Sequence, residues 1–407
     1  MIEIWKQRNF AWYMGGASVS LFGMWAQRIA VGWLAWELTN STTWLGLIAF
    51  ADLFPTVVVT PFAGALADRS DRRRIAIISQ CLGGLQAFAL ALLTFTGLIE
   101  IWSLFFLTVF LGVAMAFATA ARLAIVPNLL EKKYIPSALA TDSAIYNAAR
   151  VVGPIIAATL ILNVGKEAAF LINGCTFAVF VLCLFRVRIL YVETSQRAAG
   201  NILAQSIDGF RYAFRHPGIG PILVVLTALA VGVKPFLELL PALADDVFGR
   251  GVDGFAQLAA AAGAGAVITA VWLAVRGRMR GLTLITLSST VFGSGGIVIM
   301  CLTENFLLGL FGAFISGAAV TLSGTGTQTL MQNAVEGGIR GRVMSLYGVL
   351  HRGMPALGAL LMGVMADLIG LRLTLAGGAV LFALSALIWI LPRRARMIPA
   401  LEEGRRQ

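Results

Sequence analysis

Long apolar runs recur along this chain, each close to the ~20 residues a helix needs to cross the hydrocarbon of a bilayer. They fall at 10–38, 44–66, 74–98, 101–125, 137–163, 167–187, 219–242, 255–276, 281–302, 305–328, 340–368 and 372–392. The polar breaks include Asn40-Ser41-Thr42, the run from Asp68 to Arg74, Glu131-Lys132-Lys133, Gly165-Lys166-Glu167, the stretch from Asp245 to Asp253, and Glu336 to Arg342. Backbone amides in lipid must bond within their own segment, which helices allow. The pattern predicts an all-α polytopic membrane protein of twelve transmembrane helices. Composition agrees, with 58% hydrophobic and only 13% charged residues, against roughly 25% charged in soluble domains.

The net charge of +11 does not point to nucleic acid, because the basic residues sit in short loops between apolar runs. Of the 31 lysines and arginines, 24 fall at the two ends and in alternate loops. The opposite loops hold only Lys166, Arg250 and Arg372. By the positive-inside rule, both termini and the loop between the sixth and seventh spans are expected in the cytoplasm. The stretch from Met1 to Asn9 has no small-residue cleavage site, so the first span is expected to be retained. Cys81, Cys175, Cys183 and Cys301 lie in apolar stretches without metal-ligand spacing and are expected to be small core residues. His216 and His351 have no metal-ligand cluster around them. No cofactor is expected.

The longest break, from Val187 to Gly218, divides six spans from six. The expected organisation is an N-terminal bundle over 1–187, a linker over 188–218 and a C-terminal bundle over 219–407. In the linker, Ile202, Ile207, Phe210 and Phe214 recur near helical spacing beside Arg211 and Arg215, as in an amphipathic surface helix. A weak internal repeat at an offset of 202 residues aligns Ser143 with Ser345, Arg150 with Arg352 and Ala157 with Ala359. It pairs the fifth span with the eleventh, as two pseudo-symmetric halves require.

Between the second and third spans stands Gly64-Ala-Leu-Ala-Asp68-Arg69-Ser-Asp71-Arg72-Arg73-Arg74. It resembles the G-x-L-x-D-R-x-G-R-[RK] loop of the major facilitator superfamily, with Asp71 in place of the second glycine. The resemblance implies a cytoplasmic gate at Gly64, Asp68, Arg69, Arg72 and Arg73. Gly64 would permit close helix contact, and Asp68 would meet a helix N-terminus. The arginines would bridge to acids or carbonyls or anchor the loop. In the fifth span, Ala140, Ala149, Gly153, Pro154, Ala157 and Ala158 resemble the small-residue motif of exporters in that superfamily. Small residues permit tight packing, and the proline frees a carbonyl. The stretches from Trp25 to Ser41, Pro61 to Gly64 and Gly341 to Tyr347 are similar to the group holding enterobactin exporters and macrolide-efflux proteins. That resemblance implies a bacterial inner-membrane exporter driven by an ion gradient, with protons the leading ion. Sodium is left open as the coupling ion, and a monomer is expected.

Ionisable groups at membrane depth face a pathway or a partner. Arg28 and Asp52 lie at depths that differ by about 3 Å, at ~1.5 Å per residue, on antiparallel neighbours. They could form a proton-coupling pair or a fixed ion pair. Lys234 and Glu238, spaced i to i+4 between Pro235 and Pro241, are a second coupling candidate or a local pair. Arg150 and Arg352 would bind an anionic substrate or hold packing through carbonyls. Asp142 and Arg122 are expected to act at a gate or anchor a loop. No G-x4-G-K-[ST] loop and no Ser/His/Asp or Cys/His arrangement at one depth appears, so neither ATP drive nor an enzyme is expected. The leading expectation is efflux of an amphipathic small molecule such as a drug or siderophore. Import of a nutrient or lipid-like solute is the alternative, with a non-transporting scaffold or sensor third.

Overall fold

The computed structural model describes residues 2–67, 70–188, 210–335 and 337–403. The regular structure among them is helical. The helices are α1 (Arg8–Thr39), α2 (Thr42–Ala67), α3 (Arg72–Phe95), α4 (Ile101–Ile125), α5 (Ile135–Asn163), α6 (Lys166–Arg186), α7 (Ile219–Gly232), α8 (Gly251–Arg276), α9 (Leu282–Leu302), α10 (Phe306–Ala334), α11 (Gly337–Arg352), α12 (Met354–Ile369), α13 (Leu371–Trp389) and α14 (Arg394–Glu402). Eleven helical segments among the described residues are long and apolar enough to cross a bilayer, α11 and α12 counting as one. At 32 residues, α1 is also long enough, although Gly15, Gly16, Ser18, Ser20, Gln27 and Arg28 dilute its apolar run. With α1, the described residues hold the twelve segments predicted to cross. Large apolar side chains such as Phe62, Phe95, Val275 and Leu302 are exposed on them, as lipid-facing groups are.

The chain falls into two compact units. One takes Met1–Asn40, Leu47–Arg197 and Arg250–Ala260, and the other Ser41–Gly46, Ala198–Gly249 and Ala261–Gln407. The start of α2 and the start of α8 are thus each grouped away from the sequence half that contains them. In the first unit, Phe10, Tyr13 and Met14 of α1 pack into one core with Phe180 and Leu184 of α6. The rings of Tyr13 and Phe180 meet edge-on at 5.5 Å. Asn40 ends α1 with a left-handed φ of 47°, its N–H bonded to Trp36 O at 2.7 Å. Asparagine tolerates that conformation, so the polar break predicted there is a two-residue turn.

In the second unit the helices approach backbone to backbone. A Cβ on Gly317 of α10 would lie 2.0 Å from Ala262 O of α8, and one on Gly265 of α8 would lie 2.0 Å from Phe314 O. A Cβ on Gly312 would lie 2.6 Å from Gly296 O, and one on Gly378 would lie 2.0 Å from Gly232 O. Lipid supplies no hydrophobic drive between helices, so small residues that let backbones touch supply the packing instead. At the chain's end, Glu402 of α14 accepts from Gly281 N at 2.6 Å and Thr283 N at 2.9 Å, capping α9. Met397 and Leu401 of α14 are fully buried.

Three expectations need correction. The seventh span is not one helix over 219–242: α7 stops at Gly232, and Lys234–Leu237 is a 3-10 turn. Pro235 and Pro241 remove the N–H groups that would carry the helix on. The eleventh span breaks at Gly353, two residues before Pro355. Of the cysteines, only Cys301 is buried; Cys81 and Cys175 are exposed, because on a lipid-solvated helix an apolar stretch also has an outer face. Most of the amphipathic segment expected in the linker lies outside the described residues.

Candidate transport site

In the first unit the predicted Arg28–Asp52 pair forms. An Arg28 guanidinium nitrogen lies 3.0 Å from an Asp52 carboxylate oxygen, with the side chains 33% and 29% exposed. The guanidinium also stands over the Trp25 ring at 5.6 Å, and Trp25 meets Tyr146 of α5 edge-on at 5.7 Å. Pro55, three residues after Asp52, leaves the carbonyl of Ala51 without its helical N–H. Gly112 of α4 packs there, where a Cβ would lie 2.9 Å from Asp52 O and 3.0 Å from Ala51 O. Thr56 donates to Gly112 O at 3.2 Å. Asp52 therefore sits on a proline-interrupted stretch of α2, and its partner is set by aromatic stacking.

Behind Arg28 lies a buried polar chain. Asn173 of α6 donates its amide to Gln27 at 2.8 Å, and Gln27 donates to Gln86 of α3 at 2.9 Å. All three side chains are buried. In hydrocarbon such groups must find one another, so the chain fixes the rotation of α1 and with it the direction of Arg28.

The exporter-like motif lies along α5. Ala149, Gly153 and Ala157 fall at i, i+4 and i+8 and are buried. A Cβ on Gly153 would stand 2.5 Å from the Trp25 Cβ and 3.1 Å from the Trp25 backbone carbonyl carbon. Ala158 is also buried and Ala140 exposed. Pro154 leaves the carbonyl of half-buried Arg150 without its helical N–H. Arg122 and Asp142 pair with each other, tying α4 to α5.

At the loop before α3, Asp71 explains the departure from the superfamily pattern. Its carboxylate caps α3, accepting from Arg73 N at 2.9 Å and Arg74 N at 3.3 Å. An acid at a helix start satisfies free N–H groups. Arg73 donates to Leu184 O at 2.8 Å and to Phe185 O at 2.7 Å, closing the C-terminal end of α6. It thus bridges to carbonyls within one unit. Gly64 departs from expectation: among the described residues nothing lies within 4 Å of its would-be Cβ. Asp68 and Arg69 lie outside the described residues, and Arg72 is half-buried.

In the second unit, Lys234 donates to His351 O at 2.8 Å. Lys234 opens the 3-10 turn after α7, and Glu238 stands at its end. Arg352 is exposed. Asp367 receives a set of donors from the start of α2: Ser41 Oγ at 2.6 Å, Thr42 N at 2.9 Å, Thr42 Oγ1 at 2.6 Å and Thr43 N at 3.0 Å. The sequence reading missed Asp367 and the Gln27 chain. A Ser-Thr-Thr break after an asparagine turn signals a helix start, but nothing in the sequence names its distant carboxylate.

A family model described as a transmembrane secretion effector matches residues 4–403. This chain belongs to that family, a branch of the major facilitator superfamily. The major facilitator relatives include a staphyloferrin A transporter of Staphylococcus aureus, 29% identical over 370 residues, covering 88% of this chain and 90% of that protein. Macrolide efflux protein A of Streptococcus pyogenes is 24% identical, covering 90% and 91%. The multidrug efflux pump Tap of Mycolicibacterium fortuitum is 25% identical, covering 92% of each. Among solved structures, an inward-facing bacterial Spinster homologue matches with a TM-score of 0.75 at 14% identity, covering 95% of this chain and 97% of that one. The nucleoside transporter NupG matches at 0.71 and 12%, covering 95% and 100%. These structures share the major facilitator fold. The protein is a multi-pass membrane transporter of this superfamily, not an enzyme.

Proposed function

We propose that this transporter exports an amphipathic small molecule, a drug-like or siderophore-like compound, in exchange for protons by alternating access. The observation that carries the reading is the Arg28–Asp52 pair, 3.0 Å apart and each side chain about a third exposed. A carboxylate at membrane depth, paired with a cation and partly exposed, can lose that partner on protonation. Protonation of Asp52 would weaken its bond to Arg28 and shift the balance between inward and outward states. The family match and the efflux and siderophore names of the relatives support export. The 24-to-3 split of basic residues supports cytoplasmic termini in a bacterial inner membrane, and the chain is taken to act as a monomer.

The test is accumulation of dyes, macrolides and catechol siderophores in an efflux-deficient bacterial host expressing wild type or Asp52→Asn. Wild type should lower accumulation of at least one compound, and a protonophore should abolish the effect. Asp52→Asn should lose the pH dependence. Export by Asp52→Asn with unchanged pH dependence would overturn the coupling role. Unchanged accumulation across the panel, with the protein confirmed in the membrane, would favour import.

A further inference from the structure

Two discontinuous spans of the second unit meet at their breaks. The seventh is interrupted between Gly232 and Leu240, and the eleventh at Gly353. They are in close contact, since a Cβ on Gly358 of α12 would lie 2.8 Å from Ala230 O and 3.0 Å from Pro235 Cγ. Pro355 has no N–H, and in a helix that N–H would serve the carbonyl four residues earlier. That carbonyl belongs to His351, and it is the one to which Lys234 donates at 2.8 Å. The His351 side chain is itself held. Its ring stacks on Tyr347 at 5.2 Å with a 10° tilt, and its Cε1 lies 2.7 Å from where Gly324 would carry a Cβ. Tyr347 in turn donates to Gly324 O at 3.0 Å.

We propose that Lys234 is a positioning residue: its ammonium replaces the backbone N–H that Pro355 lacks and pins the break of the eleventh span to the break of the seventh. The chemistry favours an ammonium there. A carbonyl left unbonded in hydrocarbon is strongly disfavoured. The end of α11 is also the negative pole of its dipole, where a cation is stabilised. The lysine stem spans the gap from the 3-10 turn, and one bond then holds a proline kink that no helical hydrogen bond can hold. Breaks in transporter helices are where moving parts bend, so this bond sets the angle of the eleventh span.

The experiment is a double-mutant cycle on the purified full-length protein in detergent, read as the thermal midpoint and as hydrogen exchange over residues 352–356. The variants are Lys234→Met, Pro355→Ala, their combination, and Lys234→Arg. Methionine keeps the stem's packing and loses the donor. Lys234→Met should lower the midpoint by roughly 2–4 °C and speed exchange in the segment. In the Pro355→Ala background the same substitution should change little, because the restored N–H at position 355 takes the His351 carbonyl. Lys234→Arg should behave as wild type. If Lys234→Met alone fails to fold, recovery of folded protein in the combination supports the proposal. Equal losses in both backgrounds, or no folded protein in either, would overturn it, as would a Lys234→Met protein indistinguishable from wild type.

Discussion

Asp367 caps α2 through Thr42, accepting its backbone N–H at 2.9 Å and its hydroxyl at 2.6 Å. The same hydroxyl lies 2.8 Å from Gly363 O, and a Cβ on Gly363 would fall 2.4 Å from Thr42 O. A glycine and an aspartate one turn apart on α12 therefore receive the start of α2. The glycine gives room, and the carboxylate answers N–H groups that a helix start leaves unbonded.

Removing that carboxylate should cost about 1 kcal/mol of stability. Asp367→Ala should lower the thermal midpoint in detergent. Asp367→Asn, which keeps one acceptor oxygen but loses the charge, should lie between it and wild type. Equal midpoints for all three would show that the cap contributes nothing.

Asp52→Leu and Arg28→Met should each be more destabilising than the two together. Removing one partner leaves a charge unmatched at depth, which costs about 3–5 kcal/mol for a fully buried pair. This pair is about a third exposed, so water access should reduce the loss. Folded yield after detergent extraction and the thermal midpoint measure it. Strict additivity would mean the two side chains stabilise the protein independently.

The twelve crossings were legible in the sequence because hydropathy over ~20 residues needs no tertiary information. The Arg28–Asp52 pair was legible for a related reason, since antiparallel neighbours at equal depth are fixed by helix rise alone. The bond from Lys234 to the His351 carbonyl was not legible, because that carbonyl is exposed by a proline more than a hundred residues away. A proline predicts an orphaned carbonyl, but only the fold says which donor reaches it. Asp71 looked like a defect in the superfamily pattern until its cap of α3 was seen. The close contact expected at Gly64 is not found among the described residues.

Arg73→Lys should not replace Arg73. The arginine fork serves two successive carbonyls, those of Leu184 and Phe185, and an ammonium is a point donor that cannot reproduce that geometry. Both Arg73→Lys and Arg73→Ala should speed hydrogen exchange at the end of α6. Arg74→Ala should not, since its side chain is 83% exposed and bridges only loosely, at 3.5 Å, to neighbouring Asp71. Unchanged exchange in Arg73→Ala would show that the closure is incidental.

Asp246 stands after the seventh span, where partial burial and then the charge of Asp245 push its carboxyl above the usual range. A carboxyl raised on folding favours the protonated state. Its stability contribution is full below the unfolded value and declines as pH rises through the folded one. Asp246→Asn should therefore raise the thermal midpoint at neutral pH, and the gain should vanish well below the usual carboxylate range. A gain that persists in acid would assign the effect to packing.

Gly153→Val should be far more damaging than Gly15→Ala, although both put side-chain carbon where a helix glycine stood. At Gly153 the first added atom would meet the Trp25 Cβ at 2.5 Å and Ala26 N at 3.3 Å. The backbone of α1 cannot yield as a side-chain tip can, so α5 would be forced away from α1. Trp25 stacks under Arg28, and the displacement would also disturb the Arg28–Asp52 pair. At Gly15 nothing among the described residues lies within 4 Å of the new atom, and alanine favours a helix over glycine by about 1 kcal/mol. Gly15→Ala should leave the thermal midpoint equal or raised, whereas Gly153→Val should reduce folded protein recovered from the membrane. If Gly153→Val is recovered like wild type, α1 and α5 can separate at that crossing, and the small residues of α5 are not what holds Arg28 in place.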